Sequence, residues 1–114
     1  VKPQSAKAKG RKNQQTVRDW ILKVFTDLTQ NDVRSTGMGQ GGVDIQLSEA
    51  AIKKFPYSVE CKHRAKIAVY TDWEQAKENK MEGTEPLLVI KANRKEELAV
   101  ISLEHFMELI GGKA

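Results

Sequence analysis

Four apolar residues in a row, Leu87-Leu88-Val89-Ile90, stand between Pro86 and Lys91. A run of this length without alternation suits a strand covered on both faces, the kind found at the centre of a sheet. Such a strand needs a layer above and a layer below, so the chain is constrained to helices packed around a sheet. The rest of the pattern supplies them. Val17, Trp20, Ile21, Val24, Phe25 and Leu28 recur at i, i+3, i+4, i+7, i+8 and i+11, predicting an amphipathic helix over 13–29 with Trp20 at a core position. A second helix is expected over 71–80 with Thr71 as its N-cap, and a third over 103–110, stopped by Gly111-Gly112. Val33-Arg34-Ser35 begins a short strand. Residues 42–48 alternate Val43, Ile45 and Leu47 against Asp44, Gln46 and Ser48; residues 57–62 alternate Tyr57, Val59 and Cys61 against Ser58, Glu60 and Lys62. A short helical turn fits between them, ended by Pro56, and residues 98–101 form the last strand. The expectation is an α/β fold with one central mixed sheet flanked by helices, and 114 residues make a single domain.

Charge is distributed more tellingly than its net +4 suggests. Residues 1–18 carry Lys2, Lys7, Lys9, Arg11, Lys12 and Arg18 with no acidic residue, and residues 1–12 are expected to form a flexible basic arm ahead of a domain over 13–114. Lys62, His63, Arg64 and Lys66 make a second basic cluster, whereas the last third holds Glu82, Glu85, Glu96, Glu97, Glu104 and Glu108. A polyanion-binding face opposite a solvated acidic one has this asymmetry. For the arm, a solubilising tail is the alternative. No apolar run reaches the ~18 residues of a membrane span, residues 1–12 lack the apolar centre of a signal peptide, and the single Cys61 excludes an internal disulfide. A cytoplasmic protein is expected.

Period-2 geometry puts Glu60 and Lys62 on one face of their strand and Cys61 on the other. Asp44 occupies the polar face of the 42–48 strand. If the two strands pair as a hairpin, Asp44, Glu60 and Lys62 converge on one side of the sheet. Two carboxylates and a backbone carbonyl are hard oxygen ligands suited to Mg²⁺, and an adjacent ammonium can orient a water or stabilise charge on a phosphate. The same residues also occur as cross-strand ion pairs on ordinary exposed strands. The glycine-rich stretch Gly37-Met38-Gly39-Gln40-Gly41-Gly42 lacks the ending of a phosphate-binding loop; it is either a hairpin loop or one that approaches DNA backbone.

The order of helix, glycine-rich loop, Val43-Asp44-Ile45, Val59-Glu60-Cys61-Lys62 and a helix carrying Gln75 resembles the PD-(D/E)XK nucleases, and within them the phage and archaeal-type Holliday junction resolvases. The resemblance runs from about Lys9 to Ile110 and is most specific at Lys9-Gly10, Val33-Arg34-Ser35 and residues 58–63. It implies a restriction-endonuclease-like fold and a metal-dependent endonuclease cutting four-way junctions by paired symmetrical nicks. Asp44, Glu60 and the Cys61 carbonyl would ligate Mg²⁺, with Mn²⁺ able to substitute, and Lys62 would be the catalytic lysine. Ser35 matches a serine near the scissile strand, and Gln75 a helical glutamine near the active centre. Lys7, Lys9, Arg11, Lys12, Arg34, His63, Arg64 and Lys66 would contact DNA. One departure stands out: where such resolvases carry a glutamate early in the first helix, this chain has Gln14 or Gln15, which puts a second metal in doubt. A phage-encoded enzyme acting in the host cytoplasm is implied. Alternatives are a nuclease of the same fold acting on nicked, flapped or single-stranded DNA, and a DNA-binding module without catalysis.

Other residues invite a role and are given a plainer one. Cys61 is expected to pack in the core, His105 to lie on the surface, Met38 to be an ordinary exposed side chain, and Trp73 to serve either core or partner. A junction has two equivalent scissile strands and this domain has one centre, so a two-fold homodimer is expected. Its surface would come from residues 67–73, with Ile67, Val69, Tyr70 and Trp73, and from the helix of Phe106, Leu109 and Ile110; Phe106 and Ile110 are the ones most expected to be core instead.

Overall fold

The computed structural model describes residues 3–36 and 42–112. They form α1 (Pro3–Val24), β1 (Val33–Ser35), β2 (Ile45–Leu47), α2 (Glu49–Lys54), β3 (Tyr57–His63), α3 (Val69–Asn79), β4 (Glu85–Lys91), β5 (Leu98–Val100) and α4 (Leu103–Ile110). The result is a single α/β domain. β4 runs parallel to β3 and antiparallel to β5, so the Leu87–Ile90 run is the central strand of a mixed sheet. Leu88 and Val89, on opposite faces, are both buried. α1 packs on β3 and β1, and α3 packs on β3 and β4. The apolar core joins Val17 and Ile21 of α1 to Val33, Ile45, Val59, Cys61 and Val89.

Among the described residues the expected single sheet is two. β1 and β2 pair antiparallel as a separate ribbon, Val33 opposite Leu47 and Ser35 opposite Ile45. The ribbon meets β3 where Asp44 N–H donates to the Val59 carbonyl at 3.0 Å. Beyond that bond, Cys61 N–H is taken by the Asp44 side chain and the Asp44 carbonyl by Thr36 N–H, so no ladder of backbone bonds extends along the two segments. The hairpin pairing of the 42–48 and 57–62 strands therefore does not form.

α1 begins at Pro3 and not near residue 13, so the segment expected to be a flexible arm is helical from there. Proline is tolerated in a first helical turn, and Ala6, Lys7, Ala8, Lys9, Arg11 and Lys12 are good helix formers that lengthen an already nucleated helix. The helix ends at Val24, short of residue 29, because the chain turns back through Asp32. That carboxylate accepts from Thr29 N–H at 2.9 Å and from the Ser48 hydroxyl at 2.7 Å, tying the turn to the start of α2. The buried stripe of α1 is Asn13, Gln14, Val17 and Ile21, which rotates the sheet-facing side away from Trp20 and Val24; these are 58% and 63% exposed, against expectation for Trp20.

α3 starts at Val69 with Ala68 as an N-cap that has no side-chain bond, so Thr71 lies inside the helix. α4 has Ser102 as its N-cap, accepting from His105 N–H at 3.1 Å. His105 is buried and shares a 2.8 Å hydrogen bond with the Tyr57 hydroxyl, whereas Phe106 and Ile110 face water, the reverse of their expected places. The polar anchor turns the apolar side of this short helix outward. Among the described residues no helix is long and apolar enough to cross a membrane.

Candidate active site

β4 covers one edge of β3, and the other edge faces the β1–β2 ribbon. Asp44, just ahead of β2, sits at that second edge. Its Oδ2 accepts from Cys61 N–H at 2.6 Å, a charge-assisted bond that pins the carboxylate beside residues 60–62. Within a strand, a residue's N–H and C=O point to the same side, so the Cys61 carbonyl faces this edge as well. The Cys61 side chain points into the core, and burial there, before the charges of Asp44 and Glu60, pushes its thiol pKa far up. A thiolate nucleophile is excluded.

Glu60 is buried and Lys62 half-buried, on the same face as the alternation requires, with Lys62 Nζ 3.2 Å from Glu60 Oε2. Glu60 Oε1 accepts from Asn79 Nδ2 at 3.3 Å. Sequence reasoning misses Asn79, whose one signal is a position a helical turn beyond Gln75. Gln75 itself is exposed on α3. Burial raises the Asp44 carboxyl pKa to about 6; the nearby Glu60 charge pushes the same way, while the Cys61 N–H bond and Lys62 oppose it. Two carboxylates so placed, with one ammonium beside them, leave net negative charge in a poorly solvated spot, which a cation would relieve.

Among the described residues no three His, Cys, Asp or Glu side chains cluster as a metal site. The donor set here is two carboxylates with a backbone carbonyl at the same strand edge, which suits Mg²⁺, an ion that keeps several waters and takes few protein ligands. Gln14 is buried on α1 and Gln15 half-buried, so the sheet-facing position of the pair belongs to a neutral amide.

The expected DNA contacts divide. Arg34 is exposed and Ser35 half-buried on β1, where they line a cleft of ≈ 330 Å³ with Arg18, Gln30 and Asn31. Lys66 is exposed, as are Lys7, Arg11 and Lys12 along α1. Other expected contacts are engaged within the protein. Arg64 pairs with the buried Asp72 at 3.2 Å, Lys9 Nζ donates to Asn93 Oδ1 at 3.0 Å, and His63 Nδ1 donates to the Lys9 carbonyl at 3.3 Å. Residues 37–41 of the glycine-rich stretch, Met38 included, lie outside the described residues; Gly42 has φ +86°, a conformation natural to glycine. No family model matches the chain, and no curated protein or solved structure matches it.

Proposed function

We propose that this chain is a Mg²⁺-dependent endodeoxyribonuclease of the PD-(D/E)XK type acting on branched DNA, most favourably four-way junctions. The observation that supports it most is the gathering of Asp44, Glu60 and Lys62 at the open edge of β3, although Asp44 comes from a different segment and lies outside that sheet. Asp44, Glu60 and the Cys61 carbonyl would hold the metal, which when bound supplies an acidified water and neutralises charge on the phosphate. Lys62 has its ammonium beside the carboxylates, where it orients a water or stabilises negative charge developing on the phosphate oxygens. Asn79 holds Glu60 in place from α3. Arg34 and Ser35 line the neighbouring cleft, where a phosphate strand can lie within reach of Arg18. The resemblance in residue order and the basic character of α1 support DNA as the polyanion.

The test is a Mg²⁺ titration of end-labelled four-way junction, nicked, flapped, single-stranded and linear duplex DNA, with Asp44→Asn and Glu60→Gln as controls. Paired symmetrical nicks in the junction, lost in both variants while binding in EDTA persists, are the expected result. Preference for another DNA form would move the substrate and keep the chemistry. Binding without cleavage at any Mg²⁺ or Mn²⁺ concentration would overturn the enzyme reading.

A further inference from the structure

Trp20 is a large side chain that the fold leaves in water. It is 58% exposed on α1, beside a groove of ≈ 180 Å³ formed with Thr16, Asp19 and Lys23. The Lys23 ammonium lies 5.0 Å from the centre of its ring. Helical periodicity sets Lys12, Thr16, Trp20 and Lys23 along one flank of the helix, and Lys12 and Lys23 are both exposed. From residue 6 to the end of α1 the charges are Lys7, Lys9, Arg11, Lys12, Arg18 and Lys23 against the single acid Asp19. An indole with ammonium groups spaced along the same rod is the combination that binds unpaired nucleotides: bases stack on the ring while the cations track the phosphates. Core packing does not account for this tryptophan, since the α1 stripe that faces the sheet is filled by Asn13, Gln14, Val17 and Ile21.

We infer that this flank of α1 is a single-strand binding surface, with Trp20 as the stacking platform for an unpaired base and Lys12 and Lys23 as its phosphate contacts. On binding, the base takes the ring face that Lys23 covers, and the freed ammonium pairs with the adjoining phosphate. The charge of the helix favours a polynucleotide over an apolar partner. The surface deepens the nuclease reading by making exposed bases, as at a branch point, gap or flap, part of what is recognised; it rests on that reading only in taking the polyanion to be DNA.

The experiment is fluorescence anisotropy of a labelled oligothymidylate and of a blunt duplex of equal length, in EDTA so that binding is read apart from cleavage, across a salt series. Trp20→Ala is expected to weaken single-strand binding by roughly 5- to 100-fold, the range for one base stacked on an aromatic ring. Duplex affinity should stay within about two-fold, and the salt slope should not change, because stacking releases no counterions. Trp20→Phe should retain most of the affinity. Lys12→Ala with Lys23→Ala should instead lower the single-strand slope, by ~0.7 for each phosphate that is no longer neutralised. Equal losses on duplex and single strand, no loss in Trp20→Ala, or binding to anionic vesicles in place of oligonucleotide would each overturn the inference. A cleavage failure in Mg²⁺ with these binding results intact would count against the nuclease reading alone.

Discussion

Asp44 carries two distinct consequences. Its carboxyl takes up a proton at about 6 in the fold, against 3.8 when unperturbed. Between these values the folded chain binds more protons than the unfolded one, so the contribution of Asp44 to stability is full below 3.8 and is lost as pH rises through 6. In EDTA, Asp44→Asn should therefore be more resistant to urea than the parent at about pH 7.5, with the gap closing towards about pH 4; a pH-independent gap would contradict the assigned burial. Metal binding should show the opposite trend, with Mg²⁺ protecting the parent more strongly as pH rises and not protecting the variant. Lys62→Ala should slow cleavage by ~10²–10⁴-fold, the range for a group assisting proton transfer, with Mg²⁺ affinity little changed. Lys62→Arg should rescue poorly, because the guanidinium is larger and keeps its proton. Single-turnover rates check both.

At the scale of elements, α1 is where the chain departs most from the expected arm-then-domain division. Removing residues 1–10 should weaken binding to every DNA form and lower the log–log salt slope by ~0.9 for each duplex phosphate the segment neutralises. Because the segment is helical from Pro3, the deletion should also reduce far-UV helical signal, which removal of an unstructured tail would not do. The β1–β2 ribbon shows how little of a site depends on a regular ladder. Three-residue strands suffice, since Asp44 is located by its own N–H to the Val59 carbonyl and its carboxylate to Cys61 N–H.

Across the whole molecule, most of the large apolar residues that remain in water, Trp20, Val24 and Met81 apart, belong to α3, β5 and α4. Tyr70 is 86% exposed, Leu103 75% and Ile110 69%, with Leu98, Phe106, Met107 and Leu109 exposed as well. Val69, Tyr70, Trp73, Val100 and Leu103 line one continuous cleft between α3, β5 and α4. Contiguous exposed apolar surface of this kind marks an interaction site; the cleft takes in Val69, Tyr70 and Trp73 of one segment expected to form a dimer surface and, with Leu103, the start of the helix that carries the other. We propose that a second copy covers it. Sedimentation at micromolar concentration should give about twice the 12.8 kDa monomer mass, and Leu103→Asp with Ile110→Asp should reduce this to the monomer without unfolding the domain. A parent that stays monomeric while nicking both strands in one encounter would remove the symmetry argument.

Much of this molecule follows from local rules. The apolar run at 87–90 determined a central strand, and the alternation at 57–62 determined that Glu60 and Lys62 share a face, because both depend on the backbone of one segment alone. Helix and strand types along the rest of the chain follow in the same way, with α1 the element whose ends depart furthest. Tertiary structure decided what each face met. Trp20 and His105 have ordinary positions in helical patterns, yet the first is left in water and the second is buried against Tyr57, because periodicity states which side could be covered and not whether a neighbour is there to cover it. The site divides along the same line. The Glu60–Lys62 pair is written in a single strand, whereas the place of Asp44 beside Cys61 and of Asn79 on Glu60 arises only when separate elements pack together, through hydrogen bonds between residues far apart in the chain.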